Sequence, residues 1–319
     1  MKHPLHLYII GNGFDCHHGI NSSYACFKEW LNKTNMDLMQ RIDDIYGICI
    51  DEWWSDFENQ LASLYILDFS NRISCENAPD LTDEHCDRMW EDAQFEVKLQ
   101  LTSIYSELKG CFYDWVVQLN APNPSQRIKL NLNNSLFLNF NYTKTLEKLY
   151  GIDSRKILHI HGCVDDEEDF IIGHGKTYKE LEMLNAKKLV NSSENISIKK
   201  ITQRYKDYCS ELELHEQWAK DAAFGEVTSL RKPVEGLIKK HENFFNSLYG
   251  VHKICVYGLS LSEIDIPYLA EIVLKAKHGV WEFSYYCEKD KERIGNFCSK
   301  YGIMDYNTIQ LINLIESSL

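Results

Sequence analysis

The chain has 319 residues, 44% apolar and 25% charged, enough to bury a sizeable core and ordinary for a globular protein. Its net charge of −13 repels phosphate backbones, which disfavours nonspecific nucleic-acid binding. Eleven cysteines, odd in number and without C-x-x-C spacing, favour reduced thiols over a disulfide framework or a zinc site. The opening MKHPLHLYIIGNG holds an apolar stretch of about six residues, too short for a signal sequence or a membrane span. A cytoplasmic protein without membrane attachment is expected.

In chain order, apolar runs at residues 6–10, 136–140, 157–160, 170–172, 253–257 and 280–286 each end in glycine or small polar residues. Continuous runs of this kind suit strands buried on both faces of a parallel or mixed sheet. Between the first two runs, DEWWSDFENQLASLY and the segment from Met89 to Leu119 repeat apolar residues at three- and four-residue steps, the period of a helix. A second charge-mixed helical stretch covers roughly residues 178–248. The predicted fold is α/β and Rossmann-like: a mostly parallel sheet in a single domain over 1–319, with helical insertions at about 24–130 and 178–248.

The first run ends in GNGFDC. Gly11, Asn12, Gly13, Phe14 and Asp15 form a candidate nucleotide turn, because glycines after a buried strand let backbone N–H groups approach a phosphate. Cys16 replaces the third glycine of a dinucleotide fingerprint, and no acid closes a second strand about twenty residues on, which argues against an ordinary dehydrogenase. Asp15 suits a ribose hydroxyl or, more plainly, the cap of the next helix. After the second run, Asn141 offers both donor and acceptor to a water or a ribose hydroxyl, or closes an Asx-turn. Thr143 is a candidate helix cap, although Glu147 lies one step beyond the capping-box position.

In ILHIHG, His159 and His161 share a face if the strand continues that far, and His174 closes the 170–172 run. His161 is the candidate general base and His159 a histidine satisfied in the core. With Asp165 and Asp166 nearby the three histidines permit a metal site, but no H-E-x-x-H accompanies them and no metal is expected. After the fifth run, Gly258, Ser260, Ser262 and Asp265 form a hydroxyl-rich turn that suits phosphate or ribose. Ser262 and Asp265 equally suit helix caps. Ser260 lacks the G-x-S-x-G elbow of a hydrolase nucleophile.

Taken together, GNGFD, W-x-x-F-E (Trp54, Phe57, Glu58), FNYT, IHG, IIGHG and G-L-S-L-S-x-x-D-x-P-Y run in order from Tyr8 to Tyr268 and resemble the AbiH proteins. These are bacterial proteins of abortive infection, in which an infected cell halts phage propagation. The same skeleton is similar, more distantly, to the sirtuin-like Rossmann domains of phage-defence NAD hydrolases. That resemblance puts Gly11, Gly13 and Asp15 in the nucleotide turn, Asn141 on the sirtuin-like asparagine, His161 on the catalytic histidine, and Ser260 with Asp265 on the ribose-side loop. Asn12 and Thr143 depart from it, and the sirtuin zinc ribbon is missing from the sequence, so protein deacylation is not implied.

The resemblance implies an anti-phage protein that binds NAD or a related nucleotide and cleaves its N-glycosidic bond. Asp15 or Glu58 would stabilise the ribose cation, although the aromatic neighbours of Glu58 favour a paired acid beside a helix core. The alternatives are a non-catalytic nucleotide sensor or scaffold, and a metal-dependent phosphoesterase or nuclease built on His159, His161 and His174. The expected partners are a nucleotide and a phage-derived trigger or partner protein, with the first helical insertion as a docking surface. Oligomeric state is left open.

Overall fold

A computed structural model describes residues 5–47, 51–78, 91–165, 170–190 and 197–316. The chain divides into two compact units, one of residues 1–27, 112–171 and 233–319, the other of 28–111 and 172–232.

The first unit is built on six strands: β1 (His6–Ile10), β2 (Ser135–Asn139), β3 (Ile157–His159), β4 (Lys253–Tyr257), β5 (Val280–Ser284) and β6 (Tyr306–Ile309). All neighbours are parallel, in the order β3-β2-β1-β4-β5-β6. The fold is therefore α/β and Rossmann-like. Alternation explains the unbroken apolar runs. Leu7, Ile9, Leu138, Ile254 and Val256 enter one core, with Trp281 and Phe283 beside them. Tyr8, Ile10, Phe137, Cys255 and Tyr257 enter the core on the opposite face. A strand buried on both sides has no polar face to show.

The chain steps outward from β1 to β2 and β3, then returns to β4 on the other flank of β1. This reversal sets the carboxyl ends of β1 and β4 side by side, the place where open α/β sheets take ligands.

Three sequence expectations change. Residues 170–172 form no strand; beyond them His174 makes only an isolated bridge to Arg231. Ile171 N–H donates at 3.0 Å to the carbonyl of His161, in the turn beyond β3, so the run lies against a turn and has no strand to pair with there. β3 stops at His159, so His161 lies in the following turn, closed by Gly162 at φ +83°. Conversely, YNTI forms β6, whose polar, largely exposed edge gives no apolar run to read.

The second unit is helical among its described residues, with helices Met36–Tyr46, Ile66–Glu76, Tyr178–Leu189 and Leu214–Ser229 among them. Asn35 caps the first by accepting from Leu38 N–H, and its amide reaches Glu107 at 2.7 Å. Thr177 and Glu180 form a capping box on the third. No disulfide joins any of the described cysteines.

Candidate functional site

The glycines of GNG are explained first by backbone contact. Gly11 N–H donates to Tyr257 O at 2.9 Å and Gly13 N–H to Gly258 O at 2.8 Å, so the turn after β1 lies against the turn after β4. A Cβ on Gly258 would fall 2.0 Å from Phe14 N, and one on Gly11 2.6 Å from Leu259 Cα. Gly258 also has φ +70°, the left-handed region that favours glycine. Phe14 N–H donates to Gly11 O, and the Phe14 ring is fully buried in the core. Three amides of the candidate phosphate turn thus already serve protein carbonyls, while Asn12 is exposed at the tip.

Asp15 lies inside the short helix Asn12–His17 and caps nothing. It is 1% exposed. Thr143 Oγ1 donates to its Oδ2 at 2.5 Å and Thr145 Oγ1 to its Oδ1 at 2.7 Å, with the Asn141 amide as a further donor. Burial pushes its pKa from 3.8 up to about 6, against the pull of those donors and of His159. The hydroxyl of Thr143 is therefore spent on a residue 128 positions away. The helix it was expected to cap begins at Thr145, with Lys144 at the cap position and no side-chain cap bond.

Asn141, two residues past the end of β2, is equally fixed. Its N–H donates to Asn139 Oδ1 at 3.0 Å and its Nδ2 to Gly11 O at 3.1 Å. His159 closes the network: Nε2 lies 2.9 Å from Glu147 Oε1, and Nδ1 lies 3.2 Å from the Asn141 carbonyl. It is the satisfied histidine the sequence indicated.

His161 is 3% exposed and ringed by aromatics. Phe140 and Tyr268 meet it edge-on at centroid distances of 5.4 and 5.7 Å, and Tyr142 lies at 6.5 Å. In the turn after β4, Gly258 N–H donates to Ser284 Oγ at 2.7 Å and Leu261 sits at φ +55°. Ser260 is exposed. Ser262 donates to Asp265 at 2.9 Å; Asp265 stands at the cap position of helix Ile266–Lys275 without a side-chain cap bond.

Gly11 to Asp15, Asn141 and Gly258 to Asp265 all lie at the carboxyl edge of the sheet, with His161 in the turn beyond β3. Glu58 and His174 belong to the second unit. There Glu58 pairs with the buried Lys232 at 2.7 Å, and Trp54 stacks on Phe57. His174 Nε2 lies 2.8 Å from Val227 O, and its Nδ1 accepts from Lys176 N–H, so both ring nitrogens are occupied. Asp165 forms an ion pair with Lys144, and Asp166 lies outside the described residues. Among the described residues no group of three or more histidine, cysteine or acidic side chains could hold a metal ion.

Thr145, Lys232 and Tyr268 were not singled out from the sequence. Tyr268 sits in the quoted D-x-P-Y string, and Thr145 repeats the spacing of Asn141 and Thr143; those were the only signals.

No helix among the described residues is long and apolar enough to cross a membrane. Searches of curated proteins and of solved structures found no match to the chain. The profile of the family described as bacteriophage abortive infection AbiH matches residues 7–285, nearly the whole sequence, and the chain belongs to that family.

Proposed function

We propose that this AbiH protein binds NAD or a related nucleotide at the carboxyl edge of its sheet and cleaves the N-glycosidic bond, in the cytoplasm of an infected cell. The observation that carries the reading is the strand order, with its reversal between β1 and β4. Around that point stand an asparagine, Asn141, just beyond β2 and a histidine, His161, beyond β3.

In this reaction the C1′–N bond breaks and its electron pair leaves with nicotinamide. Water adds to the ribose cation, and His161 takes the proton that water loses. Asn141 orients the water or a ribose hydroxyl. The products are nicotinamide, ADP-ribose and a proton. A phage-derived molecule would supply the trigger, because ungated loss of NAD would kill the uninfected host.

A second reading, a sensor that binds the nucleotide without turnover, is favoured by the burial of His161 among three aromatic rings. Cellular NAD, nicotinamide and ADP-ribose measured with and without phage separate the two. The hydrolase reading expects NAD to fall in the wild type, with a rate about 10²–10⁴ lower in His161→Ala. Defence with NAD unchanged in both strains would overturn it. Defence surviving His161→Ala, together with nucleotide binding, would favour the sensor.

A further inference from the structure

The buried Asp15 carboxylate has no partner of opposite charge among the hydrogen bonds it accepts: two hydroxyls and an amide. All three donors come from one short stretch, the connection from β2 to the next helix. Asn141 and Thr143 lie in the bend after β2 and Thr145 opens the helix that follows, so the turn of the chain brings the three side chains round one carboxylate. The carboxylate thus grips the connection after β2 and the first residue of the following helix at three points.

The grip fixes the chemistry of Asn141. Its amide nitrogen faces Gly11 O and the Asp15 carboxylate, both of them acceptors. The NH2 group must therefore point inward, whichever way the amide is first drawn. The main chain of Asn141 is pinned separately, through Asn139 Oδ1 and His159 Nδ1. Among the described residues the hydrogen bonds of Asn141 run through its N–H, its Nδ2 and its main-chain carbonyl, and none through Oδ1.

We propose that Asp15 is the positioning residue of this site: it holds the Asn141 amide so that Oδ1 alone is presented, an acceptor for a hydroxyl hydrogen of the ribose or of the attacking water. The ligand's identity rests on the nucleotide reading; the clamp does not. The site would discriminate in favour of groups that donate, and a ligand offering only a carbonyl or ether oxygen there would be rejected.

The test uses the full chain labelled with nitrogen-15, with the Asn141 side-chain signals identified by their loss in Asn141→Asp. Without ligand, solvent exchange of that NH2 is expected to be about tenfold faster in Asp15→Asn than in the wild type. Replacing both threonines by valine should loosen it similarly, whereas Thr143→Ser with Thr145→Ser keeps the hydroxyls and should restore the slow exchange. Equal exchange in the wild type and Asp15→Asn would overturn the clamp, and so would a valine pair that behaves like the serine pair.

NAD then reports the ligand side. Weaker NAD binding in Asp15→Asn, by about tenfold, places the ribose hydroxyl on Oδ1; unchanged binding with turnover reduced about tenfold places the water there. Slow exchange in a wild type that neither binds nor cleaves NAD leaves the clamp standing and overturns the nucleotide reading.

Discussion

Two buried carboxylates in the same sheet unit have opposite electrostatics. Glu282 lies mid-strand on β5, 7% exposed, and burial alone would raise its pKa. Hydrogen bonds from Tyr257 and Lys253, the latter at 2.9 Å, outweigh burial and hold it below the usual carboxylate range. Asp15, at the carboxyl edge, has only neutral hydrogen-bond donors and rises to about 6. A rise of that size costs about 3 kcal/mol in the ionised state. The charge at Glu282 is compensated and belongs to the scaffold, while the charge at Asp15 is maintained against the stability of the fold. Uncompensated buried charge is a mark of functional positions.

The contrast can be broken most severely by removing the donors. Thr143→Val with Thr145→Val strips two hydroxyl bonds from an ionised, buried acid, and should cost about 3–4 kcal/mol at neutral pH. Denaturant unfolding at pH 7.5 measures it; a loss below 1 kcal/mol would mean the carboxylate is not ionised there.

Next in size is the pH dependence of Asp15→Asn. A carboxyl raised on folding gives stability that is present below its unfolded pKa and lost as pH rises through the folded value. The wild type should therefore lose about 3 kcal/mol relative to Asp15→Asn between pH 3 and pH 7.5. Parallel stability curves for the two proteins would rule out the elevated pKa.

Glu282→Gln sharpens the comparison with a smaller effect of opposite sign. The lowered pKa contributes stability above the unfolded value that disappears as pH falls through the folded one. The wild type should gain on Glu282→Gln by about 1 kcal/mol from pH 3 to pH 7, read from thermal or denaturant midpoints. A variant that loses ground toward acid would reverse the assignment.

Much of the sheet was legible because burial on both faces leaves a continuous apolar signature, as in HLYII and KICVY. Residues 170–172 carry the same signature without a strand, since three residues do not reveal whether a partner strand lies alongside. The polar partners of the site were less legible. Thr143 has the local chemistry of a helix cap, yet a carboxylate distant in sequence claims its hydroxyl. The glycines of GNG look open to a phosphate when read alone; their close neighbour is Gly258, at the far end of the chain's path through the second unit. Glu58, by contrast, was read beside its aromatic neighbours as a paired acid, and it pairs with Lys232.

The return of the chain to β4 also has a consequence during synthesis. β1 leaves the ribosome first, but its two sheet neighbours are β2 and β4, and β4 follows about 240 residues later. At about 5–20 residues per second, one edge of β1 waits roughly 12–50 seconds for its partner. A chain truncated before β4 would keep β3, β2 and β1 but leave β1 as an open edge, without Gly258 and the turn that packs on Gly11 and Gly13. The turn after β1 therefore gains its close neighbour, the Gly258 backbone, only when synthesis is about four-fifths done.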